Sequence, residues 1–329
     1  MAKPAKLKKS LLLALKISLG SSLAIYTAEL LHLQYASAAG IVTLLTLVTT
    51  RKGTLRLSIN RLITFALVGL VTSITFIPIQ DDWIAYGLFV FLMVAICDPL
   101  GWQATVSTNA VIGTHFLMTH DFSPQFFLNE FLLVTIGITF ATLLNQFHDI
   151  QGQKKNFSQS IQMVEHQMQE LLTAVADYLS EEETKDVWAN VADLEETLQE
   201  LMADAYEYEG NTYDKDASYF AKYFEMRLNQ CHIVHNLHYE MKKIKDVPYQ
   251  AKMVAEYIRY LSQYVTELND PVPQLQYLDE IFQGMKKEPL PVSRGEFENR
   301  AVLYHILMDL EEFLICKKRF VHKEGTIPV

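Results

Sequence analysis

Five ionisable residues stand inside otherwise apolar stretches of the first half of this chain: Lys16, Glu29, Arg61, His115 and Glu130. Asn60 and Asn109 share those stretches. A charge at the middle of a bilayer costs about 2.5–3.5 kcal/mol on insertion scales, so such a group usually faces a partner or a pathway. Two chemistries are open to this set. A buried cation draws in an anion, and a carboxylate or imidazole can take up and release a proton near neutral pH. Lys16 either snorkels its long stem to an interface or faces an anion path. Arg61 either anchors topology or attracts an anion. Glu29 and Glu130 read first as interfacial groups and second as proton carriers. Asn109 and His115 fit hydrogen bonds across helices, with proton carriage by His115 as the alternative. Asp98, beside Pro99 and Gly101, reads as a turn or cap.

Other clusters carry less. Cys231, His232, His235 and His238 place two imidazoles on one helical face, but a zinc-type site needs three or four ligands, and His305 is the one further candidate. A packed or solvated histidine stripe is the simpler account. Tyr206, Tyr208, Tyr213, Tyr219 and Tyr223 read as core and boundary residues, with an aromatic ligand groove as the alternative. There is no Gly-rich phosphate loop, no G-x-S-x-G elbow and no H-E-x-x-H. An enzyme is not expected, nor a metal or cofactor, and any pumping would draw on an ion or proton gradient.

The elements that must hold the ionisable groups are apolar runs at roughly 11–33, 36–50, 59–78, 83–97, 104–119 and 127–146. A membrane span needs about 20 apolar residues, and the second, fourth and fifth runs are short of that. Cations arbitrate the topology. Lys3, Lys6, Lys8 and Lys9 precede the first run, Arg51, Lys52, Arg56 and Arg61 separate the second from the third, and Lys154 and Lys155 follow the sixth. Between Leu62 and Gln153 there is no Lys or Arg. Six spans with both termini in the cytoplasm put every basic cluster on the side where positive charge is retained. The segment Arg51–Asn60 is then a basic loop. The basic N-terminus superficially resembles a secretory signal, but its apolar stretch continues to Leu33 without a convincing cleavage site, so a retained first helix is expected. Small residues at Gly20–Ser22 and Ala36–Gly40 would let helices approach closely.

From Asn156 the chain becomes charged and amphipathic. Ile161, Val164, Met168, Leu171, Leu172, Val175 and Leu179 follow helical spacing. Ser180 with Glu183 and Ser293 with Glu296 are candidate capping boxes. Helices are expected over about 184–208 and 213–245, from Asp246 onward, and from Ser293 to about Lys318, with a break at Gly210–Asn211. The fold class is therefore all-α: a polytopic membrane helix bundle of about six spans in residues 1–150, then a soluble antiparallel helical bundle in 151–329.

Charge separates the halves as well. Residues 1–150 hold nine Lys/Arg against seven Asp/Glu, and residues 151–329 hold nineteen against thirty-one, which sums to the net −10 of the chain. An acidic second half argues against a nucleic-acid partner. Cys97, Cys231 and Cys316 lie far apart and form no disulfide framework, as in a reducing cytosol.

Leu15–Lys16, the small-residue run Ala36–Gly40, the exit Thr49–Thr50–Arg51–Lys52 and Ser58–Ile59–Asn60–Arg61 occur in the order that resembles the bacterial aromatic acid exporter family, member 1 type, related to fusaric-acid-resistance-type pumps. Thr64 and Val68 stand where that family tends to place glycines. The resemblance implies a multi-pass protein of the bacterial cytoplasmic membrane, with a helical C-terminal domain, that exports small organic anions, aromatic carboxylates among them, by a gradient. In that reading Lys16 and Arg61 attract the anion, and Glu29, His115 or Glu130 couples protons. The implied partners are the anion, the lipid bilayer and further copies of the chain. A passive anion channel and a membrane-anchored scaffold or sensor are the alternatives.

Overall fold

Continuous apolar runs with no proline in their interiors leave the backbone one way to satisfy its polar groups in an apolar setting, the α-helix. The computed structural model describes residues 4–47, 50–146, 150–180, 188–214, 216–244 and 249–325. The helices of the first half are α1 Pro4–Leu30, α2 Ser37–Leu47, α3 Arg51–Phe76, α4 Asp82–Cys97, α5 Gln103–Thr119 and α6 Pro124–Leu144. Each apolar run is matched by one helix. The second half contributes α7 Ile150–Leu179, α8 Trp188–Asn211, α9 Ala217–Met241, α10 Tyr249–Ser262, α11 Val272–Met285 and α12 Arg294–Glu324. No strand occurs among the described residues.

The chain divides into two compact units, Met1–His148 with Gly210–Thr212, and Asp149–Glu209 with Tyr213–Val329. In the first unit α2 packs on α1 and α6, and α3 packs on α4, α5 and α6. Glycine sets how close α2 and α6 come. A Cβ on Gly137 would lie 2.6 Å from Val42 Cβ and 2.7 Å from the Ala39 carbonyl. With none there, the Thr43 hydroxyl reaches across to donate to the Gly137 carbonyl at 3.1 Å. Gly40 plays the same part against α1, where a Cβ would meet Ile25 at 2.7 Å. The small residues of α2 are therefore packing residues, as expected of helices that associate without a hydrophobic drive.

Three helical stretches, Ser10–Leu30, Arg51–Phe76 and Pro124–Leu144, are long and apolar enough to cross a membrane by length and composition. Ser37–Leu47 and Asp82–Cys97 are shorter apolar helices. At 1.5 Å per residue, the 11 residues of α2 extend about 16 Å, well under the roughly 30 Å of a hydrocarbon core. The expected basic loop is corrected. Arg51–Asn60 forms the first turns of α3, because Thr50 caps the helix by accepting from the Gly53 amide at 3.3 Å. Cations at a helix N-terminus oppose the helix dipole, so their placement there needs a reason other than local helix stability.

In the second unit an amphipathic α7 buries Phe157, Ile161, Val164, Met168, Leu171, Leu172, Val175 and Leu179 in one core with α8–α12. Ser293 opens α12 by accepting from the Glu296 amide at 3.1 Å. Glu296 reaches back to accept from the Val292 amide at 2.8 Å, one residue before the cap. Helix α8 runs through Gly210 and Asn211, where a break was expected. Glu183 and the expected helix start at Asp246 lie outside the described residues.

Candidate functional site

Arg61 projects from the third turn of α3 into the interior of the first unit and is 1% exposed. Its Nη1 donates to the Val42 carbonyl at 3.0 Å and to the Thr46 hydroxyl, both on α2. Both acceptors are neutral. Among the described residues no carboxylate pairs with the guanidinium, and its Nε has no hydrogen-bond partner. Removing a cation from water without a counter-ion costs several kcal/mol even after relaxation.

A second cation joins the same polar line. Lys16, half-buried on α1, donates to Asn145 Oδ1 at 3.2 Å. Asn145, buried at the end of α6, donates from Nδ2 to the Thr54 hydroxyl at 2.6 Å. Thr54 in turn donates to the Thr46 carbonyl at 3.4 Å. Three helices and the α6 cap thus contribute to one polar run from Lys16 to Arg61, which holds two cations and, among its own members, no anion.

At the opposite end of α6 lies the other charged centre. Glu130 is fully buried, and its Oε2 sits 2.8 Å from His115 Nδ1 on α5. Its Oε1 accepts from Asn129 Nδ2 at 3.1 Å. Tyr35, in the α1–α2 turn, stacks on the His115 ring at 4.2 Å between centroids and 9° between planes. Fifteen residues of α6 separate Glu130 from Asn145, about 22 Å at the α-helical rise. The two centres are therefore distinct.

The remaining expected positions divide. Asn109 is buried on α5, and among the described residues its Nδ2 has no partner. Asn60 is half-buried on α3 and Glu29 is exposed near the end of α1; neither side chain belongs to the Arg61 line or to the His115–Glu130 pair. Asp98 caps α4 and accepts from Gln103 Nε2 at 2.6 Å, as a turn residue would. His232 and His235 share the carboxylate of Glu195 at 3.1 and 3.6 Å. His305 pairs with Asp309 at 3.5 Å. The His238 side chain lies outside the described residues. Among the described residues, no three His, Cys, Asp or Glu side chains are arranged to hold a metal ion. Tyr208, Tyr219 and Tyr223 are core residues, whereas Tyr206 and Tyr213 are exposed.

The second unit has a polar centre of its own. Arg227, 1% exposed, donates to Tyr223, Gln230 and Glu165, and Lys317 donates to the Glu267 carbonyl at 2.6 Å. Burial, followed by the neighbouring Arg227, pushes the Lys317 ammonium down to about 7. Burial raises the Glu267 carboxyl. A groove of about 670 Å³ between α8, α9 and α12 is lined by Tyr206, Met226 and Phe320, with the Lys222–Glu324 pair at 2.8 Å on its wall.

Thr46, Thr54, Asn145, Tyr35 and Asn129 were not singled out in the sequence. The threonines offered a faint signal, since Thr43 and Thr46 stand three apart in an apolar run.

Residues 12–148 match the family model for aromatic acid exporter family member 1, and residues 154–318 match the model described as an aromatic acid exporter C-terminal domain. The chain is 28% identical over 312 residues to a Bacillus subtilis (strain 168) protein described as uncharacterized, YqjA, covering 93% of this chain and 94% of that one. A crystal structure described as that of a membrane protein from Clostridium difficile 630 aligns at 23% identity with a TM-score of 0.46, covering 51% of this chain and 98% of that chain. With its two matched regions spanning nearly its whole length, an all-helical fold and apolar helices of membrane-crossing length, this chain belongs to the aromatic acid exporter family, member 1 type.

Proposed function

We propose that the protein exports small organic anions, aromatic carboxylates among them, from the cytoplasm and is driven by a proton gradient. The observation that carries this reading is the wholly buried Arg61 with only neutral acceptors around it. A carboxylate entering beside Arg61 supplies the missing counter-charge and can accept from the unpartnered Nε, an arrangement that suits the planar guanidinium. Lys16, through Asn145, Thr54 and Thr46, extends the positive potential toward the end of α3 that bears Arg51, Lys52 and Arg56. Six spans with both termini in the cytoplasm put that end on the cytoplasmic side, and the cations at the start of α3 then have a topological reason to be there. The His115–Glu130 pair, buried and hydrogen-bonded, is the proton-accepting centre near the outer face. The leucines exposed along α1, among them Leu11, Leu15, Leu19 and Leu23, meet lipid or a second copy of the chain in a homo-oligomer.

The test is flux of labelled benzoate, salicylate and a non-aromatic carboxylate in proteoliposomes, with and without a pH gradient. Export that needs the gradient supports the proposal. Flux that persists after the gradient collapses makes the protein a channel instead. No movement of any carboxylate refutes the transport reading.

A further inference from the structure

Several threonines of the first unit turn their hydroxyls back on their own helix. Thr43, Thr72 and Thr75 donate to the carbonyl four residues earlier, and Thr105 donates to the Trp102 carbonyl at 2.8 Å. Thr108, one turn further along α5, does not. It is 1% exposed, and its Oγ1 has no hydrogen-bond partner among the described residues. A hydroxyl can donate once and accept twice, so leaving those bonds unmade in the interior destabilises the fold.

Helix register places this hydroxyl. His115 meets Glu130, and Phe116 meets Phe126 and Phe127, so α5 and α6 run in opposite directions where they touch. From the His115–Glu130 contact, Thr108 lies seven residues back along α5 and Gly137 seven residues on along α6. Each step is about 10 Å at the α-helical rise, and both lead the same way. Seven residues also drift only about 20° around a helix, so Thr108 keeps the face of His115 and Gly137 the face of Glu130. Gly137 abuts Val42 of α2, and the Val42 carbonyl is an acceptor of Arg61. Helix α5 packs on both α2 and α3. Asn109, the next residue, shares its face instead with Gly113, which abuts Phe89 of α4.

We infer that Thr108 is the second residue of the anion site: its hydroxyl donates to one oxygen of the carboxylate while Arg61 Nε donates to the other. The inference rests on the export reading. Two buried donors without partners, Arg61 Nε and Thr108 Oγ1, stand at one level of the bundle on helices that pack together. A carboxylate has two oxygens and accepts from both sides, so it satisfies both donors at once. In the ligand-free fold the hydroxyl is a liability, and it gains its bond only when the anion arrives. A residue that breaks a packing rule in this way marks a binding site. Valine has the shape of threonine without the hydroxyl, so a packing role and a binding role predict opposite results for T108V.

The full-length protein, purified in detergent, tests this through the rise of its thermal midpoint with added benzoate, compared among wild type, T108S and T108V. Without benzoate, T108V is expected to unfold at or above the wild-type midpoint. With benzoate, T108V is expected to need about tenfold more ligand or beyond for the same rise, the scale of one hydrogen bond to a charged group. T108S keeps the hydroxyl and is expected to follow wild type. A T108V that responds to benzoate as wild type does, a T108S that responds as T108V does, or a ligand-free T108V midpoint well below wild type overturns the assignment. Carboxylate flux in proteoliposomes separates the two claims. Wild type that neither moves benzoate nor responds to it sinks the export reading and this assignment with it, whereas equal flux through wild type and T108V sinks the assignment alone.

Discussion

Lys16 and Arg61, on different helices, are joined by one line of hydrogen bonds through Asn145, Thr54 and Thr46. Two cations would not ordinarily be led toward each other through a helical interior. The Val42 carbonyl and the Thr46 hydroxyl take up Nη1 of Arg61 and leave its Nε without a partner, and among the described residues no carboxylate pairs with the guanidinium; in the export proposal this is where the anion is received.

Asn145 gives the sharpest test of that reading. N145A removes one relay and is expected to weaken export several-fold. N145D keeps the shape but places a carboxylate on Lys16, so it is expected to lower export further than N145A does. Initial rates in proteoliposomes at matched protein density measure both. If asparagine serves only to pack the end of α6, the two variants will behave alike or the order will reverse.

Arg61→Lys keeps the charge but loses the planar fork and its contacts with Val42 and Thr46. Hydrogen bonds to charged groups are each worth about 1.5–3 kcal/mol, so the rate is expected to fall roughly tenfold to a hundredfold while the protein still inserts and folds. Transport kinetics and size-exclusion profiles in detergent check the two halves of that statement.

Gly137→Ala puts a Cβ within van der Waals overlap of Val42 and the Ala39 carbonyl. Overpacking of this kind costs about 1–3 kcal/mol. The thermal midpoint of the detergent-solubilised protein is expected to fall by several degrees, with a larger drop for Gly137→Val.

Lys317 makes the stability of the second unit depend on pH. Its ammonium is held down to about 7 from an ordinary value of 10.5, by burial first and by Arg227 second. Below pH 7 both folded and unfolded chains carry the proton, so the full burial penalty is present. Between about 7 and 10.5 the folded chain binds fewer protons than the unfolded one, and stability rises with pH. Thermal unfolding from pH 7 to 9 is expected to show that rise in wild type and a flatter profile in K317M.

Much of the fold can be read from the residues. The apolar runs place all six helices of the first half, and the spacing from Ile161 to Leu179 marks the buried face of α7. The start of α3 was misplaced because the three cations Arg51, Lys52 and Arg56 look like a loop, whereas Thr50 caps a helix ahead of them. The charged members of both centres stood out as anomalies in apolar surroundings. Their partners did not: Thr46, Asn129 and Asn145 are neutral, lie near the ends of runs, and gain their roles only when helices distant in sequence meet. Asn60 shows the converse, since adjacency to Arg61 in sequence puts it on a different face of α3.

The central claim is that Arg61 receives the transported anion. Counterflow of labelled benzoate into proteoliposomes preloaded with unlabelled benzoate, wild type against R61Q, tests it most directly, because exchange needs no driving force. The account predicts accumulation with wild type and none with R61Q that elutes and unfolds like a folded protein. Equal counterflow in the two would contradict it.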